Sequence, residues 1–108
     1  MPGEFEDGMM DRDAAMLRVA GDAVMAIDLR FRRASFDEQF KMRDERDQAF
    51  NAFAAARNRL LMPGLTASDE DIAEVDELRR QVESAADTAT LIATAAKIAT
   101  SLLRLALM

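Results

Sequence analysis

The sequence predicts an all-α protein: a long antiparallel helical hairpin, with helices over about 10–61 and 68–108, that completes a helical bundle by self-association. Three observations carry this. The apolar half of the chain is dominated by Ala, Leu and Met, with six Phe and no Tyr or Trp; Ala, Leu, Met, Arg and Glu favour helices, whereas the β-branched and aromatic residues that fill strands are scarce. All four Gly and both Pro lie outside the windows 22–62 and 65–108, so each window runs without a strong helix breaker. Within both windows apolar residues recur at helical spacing. At 108 residues there is room for one hydrophobic core.

Residues 1–9 hold Pro2, Gly3 and Gly8 among acids and read as a flexible N-terminal arm ahead of a single helical domain over 10–108. Met9 and Met10 offer a hydrophobic handle on that arm, while Met16 and Met25 are expected in the core. The first run presents Met16, Ala20, Val24, Ile27, Phe31 and Ala34, then, less regularly, Phe36, Phe40, Phe50, Phe53 and Leu60. Two positions could divide it. Gly21 could end a short first helix, and Ser35-Phe36-Asp37-Glu38 matches the Ser-x-x-Glu capping box, which would break the run near 34–35 and start a new helix at Phe36. The alternative is an uninterrupted helix with an exposed Ser35.

The best-marked boundary is Met62-Pro63-Gly64. Pro63 disfavours helix at Met62, Gly64 accepts a left-handed backbone, and Thr66 or Ser68 can cap the next helix. Asp69, Glu70 and Asp71 then suit the positive end of a helix dipole. The second run shows a heptad seam, Val75, Leu78, Val82, Ala85, Ala89, Ile92, Ala96, Ala99, Leu103 and Ala106. Folding the chain at Gly64 would set Phe53 near Val75, Phe50 near Leu78 and Phe36 near Ile92. Charge agrees with this register: residues 66–87 hold eight acids against two Arg, and 29–61 hold eight bases against five acids, so Arg57 and Arg59 would meet the acids at 69–71.

A helix over 68–108 would be about 60 Å long at about 1.5 Å per residue, which no compact chain of this size accommodates. Either the molecule is elongated or the helix is broken. Beyond Thr88 the polar residues Thr90, Thr94, Lys97, Ser101 and Arg104 form one narrow stripe, and apolar residues cover most of the remaining circumference. One antiparallel neighbour hides only one stripe. A second copy of the chain, meeting Leu91, Ile92, Ala95, Ile98, Leu102, Leu103 and Leu105, would cover the rest and give a dimer or tetramer. A back-packed helix over 11–33, giving a monomeric three-helix bundle, is an alternative. A membrane span would place Lys97 at mid-bilayer at about 2.5–3.5 kcal/mol, which disfavours it.

The sequence offers little chemistry. It has no His, which removes the commonest general base and metal ligand, and no Cys, which removes disulfides and thiolate sites. Its glycines are isolated, so no phosphate-binding loop is present. Glu70, Glu74 and Glu77 share a helical face that could hold a divalent cation, but such runs more commonly pair with Arg. Asp44, Glu45 and Asp47, interleaved with Lys41, Arg43 and Arg46, read as surface ion pairs. Arg30, Arg32 and Arg33 are the one basic cluster, and with a net charge of −6 they read as a helix end pairing with acids, not as a nucleic-acid footprint. No catalytic residue, cofactor or metal site is expected. The sequence therefore reads as a non-enzymatic interaction or assembly module, self-associating through its C-terminal helix; the competing reading is a membrane-associated protein whose helix 88–108 inserts in or lies on a bilayer. Without a basic start and an apolar leader, a cytoplasmic location is expected.

Overall fold

The first run breaks where the capping box predicts. In the computed structural model, which describes residues 11–64 and 67–108, α1 (Asp11–Arg33) gives way to α2 (Phe36–Leu60) at Ser35. The Ser35 hydroxyl accepts from the Glu38 amide at 3.2 Å, and the Glu38 carboxylate accepts from the Ser35 amide at 3.0 Å. The Gln39 side chain closes the other side of the bend by donating to the Phe31 carbonyl at 2.8 Å. Gly21 does not interrupt α1; it lies where the Phe53 ring passes, so its bare backbone faces an aromatic edge.

After α2 the chain turns through Pro63 and Gly64, whose φ of +101° is the only left-handed backbone among the described residues. Ser68 caps α3 (Asp69–Ser84) through a second capping box, closed here by Asp71. The second run is then cut again, without Gly or Pro. α3 ends at Ser84 and α4 (Thr88–Ala106) begins with Asp87 as its cap, accepting from the Thr90 amide at 2.7 Å. Arg30 of α1 stabilises the break from outside by donating to the Val82 carbonyl at 2.6 Å and the Ala85 carbonyl at 2.9 Å, which otherwise have no helical partner. This break is the answer to the length conflict: the longest dimension of the molecule is 49 Å and the other two are 22 Å.

Long-range bonds fix the arrangement. At one end Asp13 accepts from the Ala67 amide and Arg12 pairs with Asp69; at the other, Arg30 holds the last turn of α3, so α1 and α3 run parallel. Thr88 donates to Glu38 at one end and Arg59 to the Met108 carbonyl at the other, so α2 and α4 are also parallel. Arg46 to Asp28 makes α1 and α2 antiparallel, and Ser101 to Glu74 does the same for α3 and α4. The helices therefore stand in a square, in the order α1, α2, α4, α3. Two hairpins lie side by side, and the connection from α2 to α3 joins opposite corners at one end.

This layout departs from the expected register. α2 and α3 occupy opposite corners, so Phe53 meets Gly21 instead of Val75, and Arg57 and Arg59 do not reach the acids at 69–71. The core is drawn from all four helices: Met16, Ala20, Val24 and Ile27; Met42, Ala49, Ala52, Ala56 and Leu60; Val75, Leu78 and Val82; Leu91, Ala95, Ile98 and Leu102. Ala dominates the buried face of α2, which allows its close approach to α4. Met25 points outward, contrary to expectation. The expected arm over 1–9, and Met10 after it, lie outside the described residues, so the handle formed by Met9 and Met10 does too.

Candidate interaction surface

The charged groups inside the bundle are occupied in holding it together. Asp28, almost fully buried, receives two hydrogen bonds from Arg46 at 3.0 and 2.8 Å and an ion pair from Arg32 at 2.7 Å. The Arg46 guanidinium is itself stacked between the Phe31 and Phe50 rings, at 4.9 and 5.1 Å from their centres. The bond to Asp28 raises the Arg46 pKa above its ordinary value. The expected ladder of i,i+3 and i,i+4 ion pairs on α2 does not form among the described residues: Arg46 reaches across to Asp28 of α1 and pairs on its own helix only with its neighbour Asp47. Asp13 accepts the Ala67 amide, and Thr94 donates to the carbonyl one turn earlier. Among the described residues no buried side-chain nitrogen or oxygen lacks a partner.

The residues that could have carried chemistry are similarly committed. Glu74 accepts from Ser101 and Arg104, and Glu77 pairs with Arg80. Among the described residues no group of three acids converges on a common point. Of the basic cluster, Arg30 holds the end of α3 and Arg32 pairs with Asp28. The grooves between helices are shallow. One, of about 310 Å³, runs between α3 and α4 and is lined by Glu74, Leu78, Ala96, Lys97 and Arg104.

The predicted interface is largely interior. Leu91, Ala95, Ile98, Leu102 and Leu105 are buried within the single chain, Ile92 is half-buried, and only Leu103 is exposed. The physical reason is the break at Ala85–Asp87. With α4 freed from α3 it can pack against two helices, so α2 and α3 together cover an apolar arc too wide for one neighbour. The break also shifts the phase of the seam. Val75, Leu78 and Val82 are buried as the heptad requires, but Ala89 and Leu103 fall on the outside and the core face passes to Leu91, Ala95, Ile98 and Leu102. The polar stripe does not simply face water: Thr94 and Ser101 are buried against α3.

Once the core is closed, three groups of large apolar side chains remain in contact with water, one of them Met25 and Leu29, a turn apart on α1; the other two lie on α2 and α4. The first gathers where α2 and α4 end: Leu61, Met62, Leu103, Leu107 and Met108, with Leu107 84% exposed. Arg59, by bonding the Met108 carbonyl at 2.8 Å, ties the two helix ends into one surface. Leu103 sits on the flank of α4 away from Ser101 and hence away from α3. The second group is Phe36 and Phe40, one turn apart at the start of α2 and 77% and 70% exposed. Helical periodicity assigns Phe36 and Phe40 to the core with the other Phe, but they lie opposite Met42, Ala49 and Ala52, the buried face of the same helix. A signal existed for both groups. Leu60-Leu61-Met62 and Leu105-Ala106-Leu107-Met108 are apolar runs that no single helical face can hide, and Phe36 and Phe40 are the only apolar residues over 36–41.

No family model, curated protein or solved structure matches the chain.

Proposed function

We propose that the chain is a non-enzymatic assembly module that self-associates through the outer flank of α4 and the adjoining ends of α2 and α4. The observation that supports this reading is the clustering of Leu61, Met62, Leu103, Leu107 and Met108, all exposed, at one end of a bundle whose interior is otherwise closed. Contiguous exposed apolar surface is the usual mark of a contact site. Each such side chain contributes about 1.5–3 kcal/mol when fully withdrawn from water. Several together can offset the cost of association, roughly 4–15 kcal/mol.

The contact differs from the one the α4 sequence suggests by itself: it uses Leu103 and the helix ends, leaving Ile98 and Leu102 to the chain's own core. The double variant Leu103→Asp/Leu107→Asp tests it. Sedimentation of this variant should give a lower mass than the unmodified chain at equal concentration, with helix content unchanged. Equal masses would eliminate the proposed surface.

A second reading rests on α4 itself, which is long and apolar enough by composition to cross a bilayer, although nearly half of that stretch is buried in the bundle. Insertion would have to strip α2 and α3 from it and expose Thr94 and Ser101 to lipid. Flotation with neutral-lipid vesicles separates the two readings: an assembly module stays with the soluble fraction, and a membrane protein rises with the lipid.

A further inference from the structure

We infer that Met62 and Met108 are oxidation sites through which a peroxide regulates assembly, an inference that rests on the contact proposed at the ends of α2 and α4. The chain holds eight Met and no Cys, so thioethers are its only sulfur. It has no Trp, Tyr or His either, which leaves the thioethers as the groups a peroxide attacks first. Five of the eight Met lie among the described residues, and the fold sorts them into two classes. Met16 and Met42 are sealed in the core, whereas Met62 and Met108 are 58% and 62% exposed within the apolar patch. Met25 is as accessible, at 56%, but lines the groove between α1 and α3 with Arg79 and Glu83, outside that patch.

The reaction is a two-electron oxygen transfer. The sulfur lone pair of the thioether attacks one oxygen of hydrogen peroxide, an S–O bond forms and the O–O bond breaks. The proton on the transferred oxygen passes to the departing hydroxide, which leaves as water. The thioether is oxidised to a sulfoxide and the peroxide is reduced. A strongly polar acceptor then stands where an apolar group stood. In the free chain the new oxygen is simply hydrated. In the contact it must give up that water among Leu61, Leu103 and Leu107, which offer no side-chain donor, while Arg59 is engaged with the Met108 carbonyl. A two-fold contact contains both sulfurs of each copy, so the effect is repeated across the axis. Association and oxidation therefore oppose each other: the contact shields the two sulfurs, and oxidising them weakens the contact.

Sedimentation of the full chain before and after hydrogen peroxide, with sulfoxide at each Met counted by mass spectrometry of its peptides, tests both directions. Oxidation should weaken association at least about tenfold and leave the helix signal in circular dichroism in place. Met62 and Met108 should react more slowly as chain concentration rises, and Met25 at the same rate throughout. Met62→Leu/Met108→Leu keeps the apolar surface without the sulfur, and should associate as the unmodified chain does and hold its mass in peroxide. Treating the oxidised chain with the two methionine sulfoxide reductases, one for each sulfur epimer, should restore association. The inference fails if peroxide dissociates the Leu variant as readily as the unmodified chain, because another Met then carries the effect. It fails equally if full oxidation of Met62 and Met108 leaves the mass unchanged. A chain that is monomeric before any peroxide is added gives a different result, which overturns the proposed contact itself and the inference with it.

Discussion

Replacing Ile98 by Asp separates a core role for α4 from an interface role. Ile98 has no accessible surface within the single chain. Removing its side chain costs about 2–5 kcal/mol through lost burial and the cavity left behind. The new carboxylate has no partner in that environment. A burial-driven pKa rise of about three units adds about 4 kcal/mol at neutral pH. The total, roughly 6–9 kcal/mol, is comparable with the whole stability of a small domain, roughly 5–15 kcal/mol. Leu103→Asp differs in kind. Leu103 is already 45% exposed, so the lost burial, poorer helix propensity and an acid in the last helical turn together cost about 1–2 kcal/mol. Urea unfolding followed by circular dichroism, at a protein concentration low enough to suppress association, measures both. Ile98→Asp should lose most of its helix signal before urea is added, and Leu103→Asp should retain a cooperative transition at slightly lower urea. Equal transitions, with a reduced mass for Ile98→Asp, would mean that Ile98 faces another molecule and that the intramolecular packing of α4 is wrong.

Three further outcomes are expected from particular contacts. Asp28→Ala leaves Arg46 and Arg32 without their shared buried carboxylate; because the Arg46 side chain is about one-third exposed and keeps Asp47 as a partner, the loss should be near 2 kcal/mol in the same urea assay. Gly64→Ala brings its added methyl within 4 Å of nothing among the described residues beyond its chain neighbours, so its effect is dominated by backbone strain at a φ of +101°, about 1–2 kcal/mol. Glu38 and Asp87 both have pKa values lowered by the bonds they accept, first from the Ser35 and Thr90 amides respectively. Groups with depressed folded-state values stabilise the fold above their unfolded values of 4.5 and 3.8 and lose that contribution as the pH falls through the folded values. Melting temperature should therefore drop on acidification across this range, and Glu38→Gln should show a shallower drop.

Much of the fold was legible because it depends on local chemistry. Ser35 with Glu38 and Ser68 with Asp71 mark helix starts by composition and spacing alone, and Pro63-Gly64 marks a turn. The break at Ala85–Asp87 was not legible in this way. Its cap, Asp87, sits in an otherwise helical run, and the interruption is stabilised by Arg30, which is 55 residues distant from Ala85 in sequence. That one tertiary contact accounts for most of the departures in packing. It splits the long second helix, shifts the seam, and lets α2 and α3 share the burial of α4. The apolar girth of α4 does need cover on two sides, as its sequence implies, and that cover comes from within the chain. The residues left outside are less visible in the sequence, because Phe36 resembles Phe50 until the buried face of α2 is known.

Sedimentation equilibrium of the unmodified chain in detergent-free buffer, over a wide range of concentration, tests the assembly proposal most directly. A mass that rises with concentration from the 12.0 kDa of one chain, through two copies and beyond, is the expected result. A mass fixed at 12.0 kDa up to millimolar concentration would contradict it, leaving Leu103 and Leu107 without a second copy to meet.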